Sequence, residues 1–257
     1  MIRVGVFGAG GRMGATVCEA VLGAPDLELV AAVDPFHAGE RVAATEIEIA
    51  TEPTALTAAG ADVAVDFTIL EAARENARWC AANGVHAVVG TTGFSEEDLA
   101  ELADAFTASR ANAVIAPNFA IGAVMMMRFA ELAAPYFDSV EIIEMHHDKK
   151  IDAPSGTSIT TAQRIAAASK EWSEDPTTKV VAVGARGSTV EGISVHALRV
   201  RGMVASQEVL FGTTGQSLSI RHDTYDRSSF MPGVLLAVRK VVDTPGLTLG
   251  LDALLGL

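Results

Sequence analysis

Between residues 144 and 157 the chain reads Glu-Met-His-His-Asp-Lys-Lys-Ile-Asp-Ala-Pro-Ser-Gly-Thr. Two of its six histidines, His146 and His147, stand together there beside Lys149 and Lys150, and Ser155-Gly156-Thr157 has the form of a helix start. Helix N–H groups, two hydroxyls and an ammonium together suit a bound carboxylate. A metal site is the rival reading. Neighbouring side chains on a strand point to opposite faces, so a His-His pair chelates poorly unless the strand has ended, and no distant Cys/His pair completes a ligand set. The plain alternative is a solvated charge run followed by an N-cap serine.

A second group of residues suits a nucleotide. Gly8-Ala9-Gly10-Gly11-Arg12-Met13-Gly14 has G-x-G-x-x-G spacing between a short apolar run and a helical one. Glycine permits the tight turn and close backbone approach, and the helix start offers N–H donors to a pyrophosphate. Asp34, 20 residues beyond Gly14, ends the second apolar run, where a carboxylate accepts hydrogen bonds from ribose hydroxyls. The ordinary readings are a ligand-free glycine turn and a turn acceptor before Pro35. Gly90-Thr91-Thr92-Gly93 and Ala116-Pro117-Asn118-Phe119 each follow a strand-like run. Loops at the carboxyl ends of parallel strands border a ligand crevice, although either loop also fits common turn chemistry.

The elements that must carry these residues change character along the chain. Ile2–Phe7, Leu27–Val33, Asp62–Phe67, Val85–Val89 and Ala113–Ala116 are short apolar strands. They alternate with helical segments at Arg12–Leu22, Leu70–Ala82 and Ser95–Ser109. That alternation predicts an α/β fold with a doubly wound parallel sheet covered on both faces. After Asn118 a Met-rich helix, Ala123–Ala134, is followed mostly by strands: Val140–Met145, Lys179–Val183, Ile193–Val200, Glu208–Phe211 and Leu218–Ile220. Their partial alternation predicts a second, α+β domain on a mixed or antiparallel sheet, with a helix at Thr157–Ala168. A last helix, Val234–Val242, leads into an apolar tail. Met125, Met126 and Met127 suit packing, His37, His86 and His196 suit structural or exposed positions, and Arg221-His222-Asp223 with Arg227 form a second basic group.

Composition narrows the function classes. The chain has 257 residues, 49% of them hydrophobic, and a formal net charge of −13. The apolar fraction excludes disorder, and the acidic balance argues against sequence-independent nucleic-acid binding. Only Cys18 and Cys80 are present, both in helical segments, which disfavours a disulfide scaffold and a cysteine-nucleophile dehydrogenase alike. No uncharged run is long enough to span a membrane, and Ile2–Phe7 follows the first residue with no basic region before a long apolar stretch. A soluble, cytoplasmic protein is expected.

These motifs resemble those of the 4-hydroxy-tetrahydrodipicolinate reductase (dihydrodipicolinate reductase) family of the bacterial lysine pathway, in its shorter actinobacterial form, over nearly the whole chain. The most specific stretch is HH-x-x-K-x-DAPSGT, His146 to Thr157. The resemblance implies a Rossmann-like domain from residues 1–118 and 229–257 and a substrate and tetramerisation domain from 119–228. It implies hydride transfer from NADH or NADPH to C4 of a cyclic imine dicarboxylate, with His146 as proton donor/acceptor and Lys150 as donor and substrate anchor. His147, Gly156 and Thr157 fall on substrate-binding positions with Ser155 adjoining. Gly8, Ala9, Gly10, Gly11, Arg12, Met13, Asp34, Gly90, Thr91, Thr92, Ala116, Pro117, Asn118 and Phe119 fall on dinucleotide contacts, and no metal is implied. Three positions depart from the pattern: Lys149 replaces a frequent His, Ser158 a frequent Ala, and Pro35 stands where many members have Arg. Without that cation, and with Asp34 as acceptor, both cofactors are expected to serve, NADH at least as well as NADPH, with Arg12 a partial substitute.

Overall fold

Short Val- and Ala-rich strands that are buried on both faces need cover on both sides, and the first half of the chain supplies it by returning through a helix after most strands. The computed structural model describes every residue from Met1 to Leu257 in two units: Met1–Ile121 with Arg227–Leu257, and Gly122–Asp226. In chain order the first unit contains β1 (Ile2–Phe7), α1 (Arg12–Leu22), β2 (Leu27–Val33), β3 (Ile49–Ala50), α2 (Thr54–Ala58), β4 (Val63–Asp66), α3 (Leu70–Asn83), β5 (His86–Val89), α4 (Glu96–Thr107) and β6 (Ala113–Ile115). The second unit takes nearly all of α5 (Ile121–Ala133), then β7 (Ser139–His146), α6 (Gly156–Ala168), β8 (Ser188–Val190), β9 (Ile193–Arg199), β10 (Ala205–Thr213) and β11 (Gln216–Thr224). The chain then returns to the first unit as α7 (Met231–Val241), β12 (Leu247–Leu249) and α8 (Asp252–Leu255).

The first sheet is parallel throughout, in the order β12-β6-β5-β4-β1-β2-β3. Successive strands add on one side of β1 and then, from β4, on the other. The reversal places the switch point between β1 and β4, where a doubly wound sheet opens its crevice. Phe7, Val33, Leu56, Ala64, Val85, Val89, Leu102 and Phe106 belong to its core, and Trp79 meets Phe7 edge-on at 6.3 Å. The start of α4 is a full capping box: Ser95 Oγ accepts from Asp98 N–H while the Asp98 carboxylate accepts from Ser95 N–H.

The last segment is more structured than its composition suggests. The Asn112 amide donates to the carbonyls of Val241 (2.9 Å) and Val242 (3.1 Å), satisfying acceptors at the end of α7, and its Oδ1 accepts from Gly246 N–H. That clamp brings Leu247–Leu249 alongside β6 as a seventh strand.

The second sheet is mixed, in the order β11-β10-β7-β9-β8, with only β7 and β9 parallel. Alternation along β7 buries Val140, Ile142 and Glu144 on one face. Ile142, Ile193, Val195, Val209 and Phe211 pack there with Ala130, Ala162 and Ile165 from the helices. The strand expected at Lys179–Val183 does not form. Its Val-Val-Ala-Val pattern has β propensity but no partner, because β8 already lines the outer side of β9, and Val181 and Val183 lie exposed in an irregular segment.

Candidate active site

In the first unit, loops from the carboxyl ends of β1, β4, β5 and β6 converge. Gly8 has a positive φ of 67°, and a Cβ there would lie 2.9 Å from the Thr68 methyl. A Cβ on Gly14 would lie 2.0 Å from the Gly8 carbonyl oxygen, so only glycine lets α1 start this close to β1. A Cβ on Gly90 would strike the Phe67 ring at 2.0 Å, and that ring packs on Phe119 at 5.6 Å. The Thr91 hydroxyl donates to the Thr68 carbonyl at 2.9 Å, and Asn118 Oδ1 accepts from Ala120 N–H. Beneath them Asp66, buried, accepts from Thr68 N–H and from Asn76, and burial pushes its carboxyl above the usual range.

Asp34 is buried against the glycine loop. Its Oδ2 accepts from Gly10 N–H at 3.1 Å and its Oδ1 from Phe36 N–H at 3.0 Å. The His37 ring lies over Gly10, where an added Cβ would sit 2.2 Å from it. Its Nδ1 is 3.0 Å from Asp34 Oδ2 but lacks hydrogen-bond geometry, so the contact is ionic only when the ring is protonated. His37, expected at a structural or exposed position, therefore borders this loop. No side chain caps α1, and its first turn carries no acidic residue. A small-residue loop with positive φ, an uncapped helix start and a carboxylate at the end of β2 fit a dinucleotide.

In the second unit, β7 ends at His146, and the loop after it returns to the start of α6. Glu144, wholly buried, is the centre of this region. Its carboxylate is hydrogen-bonded to His146 Nδ1, accepts from Arg199 Nη1 (3.0 Å) and Nη2 (2.9 Å), and accepts from Ser155 N–H at 3.2 Å. Arg199 donates onward to the carbonyls of Lys150 (3.3 Å) and Asp152 (2.6 Å), so one guanidinium holds both the strand and the loop. Lys150 Nζ is paired with the Asp152 carboxylate at 2.7 Å, which holds that carboxyl below its usual range. Burial lowers the His146 pKa, with Lys150 and Arg199 acting in the same direction and Glu144 opposing them.

The His-His pair serves two different partners. His146 faces Glu144, whereas His147 is exposed and accepts from Lys149 N–H at 3.2 Å. Ser155 is the N-cap of α6, its Oγ accepting from Ser158 N–H. A buried chain continues beneath: Ser155 Oγ to Ser158 Oγ (2.8 Å), Ser158 Oγ to Gln207 Oε1 (2.7 Å), and Gln207 Nε2 to Thr161 Oγ1 (2.8 Å). Above it Gly156 is exposed, with open space where a Cβ would stand, and Thr157 follows in the first turn. Glu144, Arg199 and Gln207 carry no motif signal, because their partners lie up to 55 residues away. The later basic group separates: Arg221 pairs with Asp223 and Glu208, and the His222 ring packs on Gly122.

Two family models match, dihydrodipicolinate reductase N-terminus over residues 2–119 and dihydrodipicolinate reductase C-terminus over 122–255. The 4-hydroxy-tetrahydrodipicolinate reductase of Cutibacterium acnes is 52% identical over 262 aligned residues that cover all of both chains. That of Streptomyces coelicolor is 48% identical over all of this chain and 98% of its own. A dipicolinate-bound dihydrodipicolinate reductase from Paenisporosarcina sp. TG-14 superposes with a TM-score of 0.90 and 40% identity, covering 98% of this chain and 99% of that one. Matched from end to end at this level, the chain is an oxidoreductase of the dihydrodipicolinate reductase family.

Proposed function

We propose that the chain reduces the cyclic imine dicarboxylate formed when 4-hydroxy-tetrahydrodipicolinate loses water, in the diaminopimelate route of lysine biosynthesis, with His146 and Lys150 as its catalytic residues. The observation that carries the assignment is the ordered run from His146 to Thr157: an imidazole fixed by a buried carboxylate, an ammonium one loop away, and the open start of α6. The first unit is the dinucleotide-binding domain and the second the substrate-binding domain.

Gly8, Ala9, Gly10, Gly11, Arg12 and Met13 would hold the pyrophosphate, Asp34 the ribose diol, and Gly90–Thr92 with Ala116–Phe119 the nicotinamide end; the bound nucleotide supplies hydride. A dianionic substrate needs donors. Gly156 and Thr157 N–H groups at the start of α6, the His147 ring and the Ser155–Thr157 segment offer them to one carboxylate. Lys150 anchors the substrate by exchanging Asp152 for it. Hydride addition at C4 of a conjugated imine leaves an enamine that must take a proton. His146, an imidazole held by the buried Glu144 carboxylate, holds and delivers that proton.

Both nicotinamide nucleotides serve, NADH at least as well as NADPH. Asp34 is an acceptor and an anion, Pro35 brings neither charge nor N–H, and the glycine loop and the turn after Asp34 offer only exposed Arg12 and, when protonated, His37 as cations. The enzyme works as a homotetramer through the second unit. Val181 and Val183, with Val200 and Leu210, leave apolar surface exposed there. A monomer at micromolar concentration in light scattering would contradict the tetramer. We place the enzyme in the cytoplasm, where the nicotinamide nucleotide pool is at hand; no helix is long and apolar enough to cross a membrane.

The test is nucleotide oxidation followed by absorbance with enzymically generated substrate. Turnover with both nucleotides is expected, and kcat/KM for NADPH about tenfold above NADH, roughly 1.4 kcal/mol, would overturn the cofactor assignment. Nucleotide binding without turnover would overturn the activity.

A further inference from the structure

Glu144 occupies a position where alternation along β7 calls for an apolar side chain, next in line after Val140 and Ile142 on the helix-covered face. A carboxylate there is costly unless strong partners surround it, and removing it in favour of a packed apolar residue is often neutral or stabilising. Its retention by packing alone therefore has no explanation. Each of its partners, however, belongs to the substrate run or holds it: His146, Ser155, and Arg199 with its bonds to Lys150 and Asp152.

We propose that Glu144 is a positioning residue for the reaction: its carboxylate accepts the hydrogen bond of the His146 Nδ1–H, which leaves Nε2 as the nitrogen that exchanges a proton with the substrate. The proposal rests on the assignment of His146 as the proton donor. The Nδ1 proton stays in the Glu144–His146 hydrogen bond throughout. Only the Nε2 proton leaves, and the ring passes from imidazolium to neutral imidazole as the enamine is protonated. Arg199 completes the frame by holding the Glu144 carboxylate from β9 and the Lys150–Asp152 loop with the same fork.

The charged groups that face His146 are few. Glu144 acts from its own strand, Arg199 from β9, and Lys150, paired with Asp152, from the following loop; the β10 residue beside it in the sheet, Ala205, is uncharged. Glu144 is the only one of them in direct hydrogen bond with the ring. Loss of its charge outweighs loss of Arg199, because the nearer group has the stronger field.

The test is long-range proton–nitrogen NMR of the histidine rings in the full chain, with no substrate or nucleotide. In the wild type, neutral His146 is expected to carry its proton on Nδ1. Glu144→Gln keeps the size and an acceptor but removes the charge, and Glu144→Gln with Arg199→Met removes both charges so that neither is left buried alone. In whichever of the two folds, the His146 titration midpoint should fall by about one pH unit, since the imidazolium loses its partner carboxylate. The alkaline limb of the kcat profile, where the proton donor is lost, should move the same way, while KM for the nucleotide changes less than about twofold. Neutral His146 protonated on Nε2 in the wild type would overturn the proposal whether or not either variant folds. A folded double variant that titrates like the wild type would do the same, leaving Glu144 as a counter-ion of Arg199 alone. His146→Gln with full kcat is a different failure: it removes the catalytic assignment and leaves the tautomer measurement standing.

Discussion

The glycine-rich loops of the first unit are made almost entirely of backbone and small residues, whereas the run from His146 to Thr157 in the second is held by long side chains that cross from strand to strand. At Gly8, Gly14 and Gly90 the space for a Cβ is already taken by neighbouring atoms. At Glu144 and Arg199 the space is filled by charge and hydrogen bonds. The first region is therefore damaged by adding atoms and the second by removing partners. A backbone site keeps its geometry through any exposed side-chain change nearby, while a side-chain site depends on pairs that must change together.

The largest effect should come from breaking such a pair. Arg199→Met leaves the fully buried Glu144 carboxylate with only His146 and one N–H, and should lower stability by about 3–5 kcal/mol in urea denaturation. A loss below about 1 kcal/mol would mean that water reaches the carboxylate and that the region is less dry than its burial suggests.

Adding an atom to the first region should cost less overall but act locally. In Gly14→Ala the new Cβ meets the Gly8 carbonyl oxygen at 2.0 Å, so α1 must move away from β1. An expected destabilisation of about 1–3 kcal/mol accompanies a loss of at least tenfold in NADH affinity by fluorescence titration. Unchanged affinity would separate this glycine from the nucleotide and leave it a packing residue.

This contrast also explains what the sequence made legible. Gly8–Gly14 and Asp34 are local patterns, each decided within a few residues of chain, and the alternation of strands and helices follows from periodicity. The His146–Thr157 run stands out by its composition. Glu144 sits inside that run without any signal of its role, since its decisive partner Arg199 is 55 residues on and looks like an ordinary strand-end arginine. His37 carries no local signal of its place, because nothing in its neighbours shows that the turn after Asp34 folds the ring over Gly10. Lys179–Val183 misled in the other direction: a strand needs a partner as well as propensity, and pairing is not written in a five-residue window.

A smaller effect belongs to Asp34, where the two kinds of construction meet. Because its carboxylate accepts from Gly10 and Phe36 N–H groups, Asp34→Ala should loosen the glycine loop and weaken both nucleotides. NADPH should lose less, since the anion facing a 2′-phosphate is gone, and the ratio of kcat/KM values should shift toward NADPH by about tenfold. An unchanged ratio would show that Asp34 serves only the loop and that another group, Arg12 or His37, selects the nucleotide.

The proposed division of labour gives the chemistry to the run from His146 to Thr157 and only nucleotide binding to the glycine loop. It is tested most directly by measuring kcat and NADH affinity side by side for the wild type, His146→Gln and Lys150→Ala. Each variant should lose about 10²-fold or more in kcat, roughly 2.7 kcal/mol of transition-state stabilisation, with NADH affinity within about twofold of the wild type. Near-normal kcat in both variants would contradict the account.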